Sequence, residues 1–112
     1  MSAPRRGEVW QVNLDSVLGH EQAGSRPALV LSVDAVNAAT QLATVLPITS
    51  KARAVRTRVA VQPSEGGLTV PSYVICEQPR TISGVRFLRR LGSASPPTLA
   101  AVENVVRLLL GL

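Results

Sequence analysis

Residues 19–32 read GHEQAGSRPALVLS, a polar loop with two glycines that ends at Arg26 and continues directly into an apolar run. An apolar run over residues 26–33 is typical of a strand covered on both faces. We therefore predict that Arg26 stands at the rim of a rigid sheet. The planar donor fork of arginine matches two phosphate oxygens and stays charged at physiological pH, so this junction suits a phosphate group. The alternative is a hairpin loop whose arginine pairs with a surface acid, because most loop charges are solvated.

The sequence on either side of this junction predicts a small sheet. Residues 8–14 alternate with period two, which indicates a strand with two distinct faces. The inward face is expected to carry Glu8, Trp10, Val12 and Leu14, and the outward face Val9, Gln11 and Asn13. Further strands are predicted over residues 41–48, 55–61, 72–76, 78–83 and 86–93, the last with or without a short turn before it.

Two of these segments have features that constrain the sheet. Pro47 lacks a backbone donor, so we expect an edge or a bulge at that position. Arg56 and Arg58 alternate with apolar residues and are expected to form a basic outer face. Between the strands, residues 34–40 predict a polar connector or one helical turn, and residues 63–67 predict a turn.

The C-terminal region changes to helical periodicity. Ser95 can cap a helix, Pro97 suits its first turn, and Gly111 can stop it. The apolar residues at helical spacing are Leu99, Val102, Val105, Val106, Leu109 and Leu110. Glu103 and Arg107 are spaced for a favourable i,i+4 pair. Because the polar stripe is narrow, we expect burial over most of the helix circumference, against the open end of a barrel and a second subunit. The predicted fold is mainly β with a C-terminal α-helix, a small and strongly bent antiparallel barrel.

Length and composition bound the class of protein. The 112 residues are expected to form one domain over 1–112, and no segment approaches the roughly 18 continuous apolar residues of a membrane span. The N-terminal residues are basic and lack the apolar stretch of a signal peptide. Cys76 is the single cysteine, which excludes a disulfide within the chain and suggests a reducing cytoplasm. We interpret it as a small core residue.

The charge distribution indicates an anionic partner. The chain carries a net charge of +5, and its cations fall largely into two local groups. These groups are Lys51, Arg53, Arg56 and Arg58, and then Arg80, Arg86, Arg89 and Arg90. Nucleic acid and an acidic protein segment both fit such a surface. With one tryptophan, one tyrosine and one phenylalanine, a platform that stacks rows of bases is disfavoured.

Four blocks of sequence resemble one known family. They are residues 6–10 (RGEVW), 19–32, 46–50 (LPITS) and 76–83 (CEQPRTIS). In this order and spacing they closely resemble the MazF/PemK toxins. The resemblance implies an SH3-like barrel of the CcdB/PemK type, a homodimer, and a metal-independent endoribonuclease that cuts single-stranded RNA at short sequences. It also implies inhibition by a cognate, MazE-like antitoxin whose acidic, extended segment lies in the RNA groove.

The residue inventory agrees with chemistry that uses no metal and no cofactor. One histidine, one cysteine and no cluster of carboxylates at ligand spacing do not readily build a zinc site or a two-metal site. A ribonuclease without metal can use the 2′-hydroxyl of its substrate and leave a 2′,3′-cyclic phosphate and a 5′-hydroxyl. This reaction needs a base, an acid and stabilisation of phosphorane charge. A mechanism with two histidines is impossible within one subunit, because only His20 exists.

The resemblance assigns the catalytic roles to Arg26 and Thr49, which match the family's active-site arginine and threonine. Arg26 would hold the non-bridging phosphate oxygens and could pass a proton to the leaving oxygen, while Thr49 would donate a hydrogen bond to the same phosphate. The free pKa of arginine makes it a poor general base. Glu21 is the better candidate base, with a solvated loop acid as the alternative. His20 could assist, or could be an exposed histidine without a role.

The remaining candidates concern RNA binding. Gln22 and Gln78 carry amides able to read base edges, although each could instead bond to loop backbone. The residues expected to contact phosphates are Lys51, Arg53, Arg56, Arg80 and Arg86. Arg56 and Arg58 could alternatively protect an edge strand from aggregation.

Two other functions fit the same fold. One is a CcdB-like poison of DNA gyrase, and the other is a non-catalytic module that binds RNA or an antitoxin. Fold alone does not separate them, since function lies in the site. The Arg26-Pro27 block together with residues 47–49 favours the nuclease over the gyrase poison. The presence of Glu21, Arg26 and Thr49 favours it over the non-catalytic module.

Overall fold

The computed structural model describes residues 3–14 and 24–112. Within these residues, seven strands are joined by two α-helices and two 3₁₀ turns. The strands are β1 (Glu8–Asn13), β2 (Ser25–Val30), β3 (Leu42–Thr49), β4 (Arg58–Val61), β5 (Ser72–Ile75), β6 (Arg80–Ser83) and β7 (Phe87–Ser93). The helices are α1 (Asp34–Thr40) and α2 (Pro96–Leu110), and the 3₁₀ turns are Glu65–Gly67 and Gly84–Arg86.

All strand pairs are antiparallel, in the order β4-β5-β3-β2-β1-β7, with β6 also paired to β3. The strand β3 is therefore the hub of the sheet, because it pairs with β2 on one side and with β6 and then β5 on the other. Among the described residues no pairing joins β4 to β7, so the sheet does not close. The predicted class, mainly β with a C-terminal helix, is confirmed, and the barrel is an open one.

Two apolar clusters cover the two faces of the sheet. One contains Trp10, Val12, Ala28, Val30 and residues of β3 and β7, and the other contains Val9, Leu29 and residues of α2. The strand β2 is thus covered on both faces, as predicted. The outward assignment of Val9 is wrong, since its side chain is only 2% exposed. The reason is that α2, which follows β1 by more than eighty residues, packs over that face.

Glu8 holds three parts of the chain together. Its Oε1 accepts hydrogen bonds from the Arg5 backbone N–H at 2.8 Å and from the Trp10 indole at 2.9 Å. Its Oε2 accepts from Arg90 Nε at 2.9 Å, which links β1 to β7. Partial burial opposes ionisation, but these donors together lower the pKa of Glu8 below its usual value.

Pro47 makes no edge or bulge in the pairing of β3 with β2, but the expected interruption is present on the other flank of β3. Pro47 is buried in the middle of the sheet, opposite Ala28 of β2. On the other flank, β3 pairs with β6 as far as Val45 and with β5 from Ile48 onward. Pro47 lies between these two pairings. Its missing N–H therefore removes no hydrogen bond from the β3–β6 pairing or from the β3–β5 pairing.

The predicted strand over residues 55–61 is shorter in the structure. Residues 52–57 have no strand structure, and β4 begins only at Arg58. The predicted basic outer face is also wrong at Arg58, whose side chain is only 8% exposed. Its guanidinium forms an ion pair with Glu77 instead of facing solvent.

The shorter elements follow the sequence closely. The helical option for residues 34–40 is confirmed by α1, and the 3₁₀ turn Glu65–Gly67 lies in the predicted turn. The strands β5 and β6 fall within their predicted ranges, and a short turn precedes β7.

The helix α2 begins and ends as predicted. Ser95 accepts a hydrogen bond from the Thr98 N–H, and Gly111 adopts a left-handed conformation with φ of 71°. Glu65 also caps the N-terminal end of α2, because its Oε2 accepts a hydrogen bond from the Ser95 N–H at 2.8 Å. Burial opposes ionisation here as well, yet the Ser95 and Thr98 donors lower the pKa of Glu65.

The single chain covers one face of α2, and one expectation about this helix is wrong. Within α2 only Val102 and Val106 are buried, whereas the C-terminal leucines Leu108, Leu110 and Leu112 are 83%, 58% and 86% exposed, on the surface that was expected to meet a second subunit. Glu103 pairs with Arg6 rather than with Arg107, because the N-terminal segment lies beside this face of the helix. Arg6 also donates to the Leu31 carbonyl, so it joins α2 to the end of β2.

No helix in the described parts of the chain is both long enough and apolar enough to span a bilayer.

Candidate functional site

The start of β2 and the end of β3 form one side of a groove, named here the Arg26 groove. The antiparallel register of β2 and β3 pairs Ala28 with Pro47. Extended by two residues toward the start of β2, the same register places Arg26 opposite Thr49. Both residues line a cavity of about 350 Å³. Its other lining residues are Ser25, Pro27, Ile48, Ser50, Lys51, Leu68, Thr69, Val70 and Ser72.

The backbone of Arg26 is fixed from both directions. On one side it pairs with Val12 of β1. Further along β2, Ala28, Leu29 and Val30 are each at most 1% exposed, so the strand that carries Arg26 is anchored in the core. The arginine itself is half-buried. The sequence prediction that Arg26 stands at a sheet rim is therefore consistent with the geometry.

Thr49 is oriented by the turn that follows β3. Its Oγ1 accepts a hydrogen bond from the Lys51 backbone N–H at 3.1 Å. A threonine hydroxyl that accepts in this way can still donate its own hydrogen. Thr49 is therefore positioned to donate to an anionic group in the Arg26 groove.

Among the predicted phosphate contacts, Lys51 lines the groove and the others do not. Arg53 and Arg56 lie exposed on residues 50–57, which we name the basic segment. Arg80 begins β6 opposite Val45. Arg86 Nη1 donates to the Asn13 carbonyl at 3.3 Å, beside the start of β2.

Gln78 is exposed on the loop between β5 and β6. It follows Glu77, which forms an ion pair that the sequence analysis did not identify. Arg58 Nη2 and Nε donate to Glu77 Oε2 at 3.2 and 3.3 Å. Partial burial would raise the pKa of Glu77, but its own backbone N–H, the Thr57 hydroxyl and the Arg58 guanidinium together lower it. The pair joins the end of the basic segment to the loop that carries Gln78.

A model of the family described as "PemK-like, MazF-like toxin of type II toxin-antitoxin system" matches residues 5–110. The chain belongs to this family.

Individual members of the PemK/MazF family are similar over two thirds or more of the chain. Endoribonuclease MazF9 of Mycobacterium tuberculosis is 40% identical over 114 residues, covering 96% of this chain and 97% of the relative. Endoribonuclease PemK of Escherichia coli is 45% identical over 78 residues, covering 69% of this chain and 59% of the relative. The crystal structure of MazF from Deinococcus radiodurans superposes with a TM-score of 0.86 at 33% identity, covering 98% of each chain. A mycobacterial endoribonuclease in complex with its cognate antitoxin gives 0.78 at 29% identity, covering 100% of this chain and 97% of that one.

His20, Glu21 and Gln22, three further candidates suggested by the PemK/MazF resemblance, lie outside the described residues. Their catalytic and RNA-binding roles stay predictions.

The sequence analysis also missed one wall of the groove. Residues 68–72, named here the far wall, face Arg26 and Thr49 because Ser72 precedes Tyr73, which pairs with Thr49. The short segment LTVPS has no alternation and no charge, so nothing in it signalled a site. Only the pairing of β5 with β3 brings it to the groove.

Cys76 is a core residue, as interpreted from the sequence. It is 2% exposed, and burial together with the neighbouring Glu77 carboxylate raises its pKa to about 11. The thiol is therefore protonated at neutral pH and a poor nucleophile. In the parts of the chain that the structure describes, His, Cys, Asp and Glu form no group of three or more that could hold a metal ion.

Proposed function

We propose that this protein is an endoribonuclease toxin that cuts single-stranded RNA at short, specific sequences. Membership of the PemK/MazF family and the names of its relatives support the reaction class. The observation that carries the proposal is the Arg26 groove, where an arginine and a threonine from adjacent strands line one cavity. Both groups suit a phosphate, and both are held by a backbone that is buried or hydrogen-bonded.

In the proposed reaction the 2′-hydroxyl of the substrate loses its proton to a base, and the 2′-oxygen attacks the adjacent phosphorus. The bond from phosphorus to the 5′-oxygen then breaks, and that oxygen takes up a proton. The products are a 2′,3′-cyclic phosphate and a 5′-hydroxyl. No metal takes part in these steps.

Each step has a candidate group in this chain. Arg26 would hold the non-bridging oxygens as negative charge accumulates on the phosphorane, and it could protonate the leaving oxygen. Thr49 would donate its hydroxyl hydrogen to the same phosphate. Glu21 would act as the base and His20 would assist it.

The RNA backbone would leave the groove along neighbouring exposed and partly buried cations. Lys51 lies in the groove, and the further contacts proposed are Arg53, Arg56, Arg80 and Arg86. Gln22 and Gln78 would read base edges, as amides do in single-stranded RNA. The net charge of +5 supports such a track and an attraction that weakens with salt.

The same cations would bind an antitoxin. We infer that a cognate antitoxin inhibits the protein by laying an acidic, extended segment in the Arg26 groove, and a relative solved with its antitoxin supports such a complex.

We also infer a homodimer, supported by the exposed leucines at the end of α2.

The decisive experiment digests a long single-stranded RNA with the purified protein in the presence of EDTA and sequences the new 5′ ends. We expect discrete cuts at one short motif with 5′-hydroxyl ends. Arg26→Ala should lower the cleavage rate by about 10²–10³-fold, the usual effect of removing one charge-stabilising donor.

Arg5→Ala, at an exposed arginine before β1 and outside both cation groups, is the matched control and should cut at the wild-type rate. Intact RNA after treatment with well-folded, antitoxin-free protein would refute the nuclease and favour a gyrase poison or a binding module. Wild-type cleavage by a folded Arg26→Ala variant would refute the role of Arg26.

A further inference from the structure

The far wall of the Arg26 groove is held rigidly from behind. Leu68 is 5% exposed and packs in the core, and the Ser72 hydroxyl donates to the Val70 carbonyl at 2.9 Å. Before the wall, Gly67 has φ of +74°, and a Cβ there would lie 2.1 Å from the Leu91 carbonyl oxygen. The chain is thus pressed against β7 at a point where only glycine fits.

Two neighbouring side chains of this rigid wall remain exposed. Val70 is 48% exposed, and Thr69 is exposed with no hydrogen-bond partner in the described part of the chain. Both line the same cavity as Arg26 and Thr49. A hydroxyl and an apolar side chain on a firmly held backbone, across from the proposed phosphate-binding pair, match the mixed chemistry of a nucleoside.

We propose that Thr69 and Val70 bind one nucleoside adjacent to the scissile phosphate and help to set the cut motif. Val70 packs against the flat face of the base or against the ribose. Thr69 exchanges a hydrogen bond with a base edge or with a 2′-hydroxyl. This inference rests on the proposed nuclease function and adds a specificity surface to it.

The test uses an RNA oligonucleotide that carries the mapped cut motif. A 2′-deoxy nucleotide on the 5′ side of the scissile bond removes the attacking hydroxyl, so binding can be measured without cleavage. The variants are Thr69→Val and Val70→Thr, which keep side-chain shape and exchange polarity. The control Val85→Thr makes the same change at a valine that is 85% exposed and lies outside the groove.

We expect Thr69→Val to bind roughly 3- to 10-fold more weakly, the effect of one lost hydrogen bond, and Val70→Thr to bind roughly 3-fold more weakly. Val85→Thr should bind within twofold of wild type. One nucleotide of the RNA carries the group that contacts Thr69. When that nucleotide is replaced by an abasic or 2′-deoxy residue, wild type and Thr69→Val should bind the RNA equally, because the hydrogen-bond partner of Thr69 is then missing for both.

The outcomes separate this inference from the function on which it rests. If wild-type protein cuts no RNA, the proposed function fails and the nucleoside contact fails with it. If wild type cuts but both far-wall variants bind and cut like Val85→Thr, only the nucleoside contact is refuted. A loss in Thr69→Val that is the same for every substituted RNA would also refute it.

Discussion

The rim of the Arg26 groove and the last turn of α2 are built in opposite ways. At the rim, Arg26 and Thr49 stand at the ends of strands whose interior residues are almost fully buried, as Leu29 and Leu46 are. At the end of α2, apolar side chains stand exposed on an otherwise well-capped helix, and Leu108 is 83% exposed. The chain therefore supplies the support for its groove by itself, whereas the helix end needs a second surface to become buried.

Besides Arg26, the groove side of this comparison is tested at Thr49. Thr49→Val removes the hydroxyl but keeps the shape, and we expect about a 10²-fold loss in the single-turnover cleavage rate. Thr49→Ser keeps the hydroxyl and should lose less than about tenfold. Thermal unfolding of both variants, followed by circular dichroism, should lie close to wild type. Equal rates for the valine and serine variants would show that the hydroxyl has no part in the reaction.

The helix side is tested by placing charge on the exposed leucines. Leu108→Glu combined with Leu110→Glu should weaken self-association at least about tenfold, because an unpaired charge in an apolar interface is costly. Sedimentation equilibrium measures the effect. Ala100→Glu, at an exposed position earlier in α2, is the control and should associate like wild type. A wild-type protein that is monomeric at micromolar concentration would contradict the proposed dimer.

A smaller effect is expected from acid. Because hydrogen bonds lower the pKa values of Glu8, Glu65 and Glu77 in the folded state, their stabilisation is present above the usual value of 4.5 and is lost as pH falls through the lowered values. We expect a decrease in the free energy of unfolding on the order of 1 kcal/mol for each carboxylate below about pH 4, measured by urea titration.

The triple variant Glu8→Gln, Glu65→Gln and Glu77→Gln tests this assignment. It should be less stable at pH 7 and should lose less stability in acid than wild type, because amides do not titrate. An acid dependence as steep as that of wild type would assign the titration to other groups.

Local signals in the sequence predicted the helices well. The caps of α2 at Ser95 and Gly111 depend on neighbouring residues, so a short window contains all that is needed. The face of β1 was harder to predict, because the burial of Val9 is caused by α2, which is distant in the sequence. The placement of Pro47 likewise depends on where β3 changes partners from β6 to β5.

The candidate site shows the same limit. The motif around Arg26 indicated a fixed arginine, and the family resemblance supplied Thr49. The pairing of Arg58 with Glu77 and the far wall depend on strand partners that a linear pattern does not contain. Sequence reasoning therefore reached the proposed chemical groups and missed the surfaces that lie beside them.

The central position of β3 has a consequence for how this toxin is made. Thr49 ends β3, and two partners of β3, the strands β5 and β6, come later in the chain. The pairing of β1 with β7 joins Glu8 to Ser93, so it forms only after Ser93 has been added. A ribosome therefore exposes the groove residues long before the sheet that supports them can form. A growing or truncated chain carries the proposed catalytic side chains without their geometry, so we expect the Arg26 groove to form only after β7 has been made.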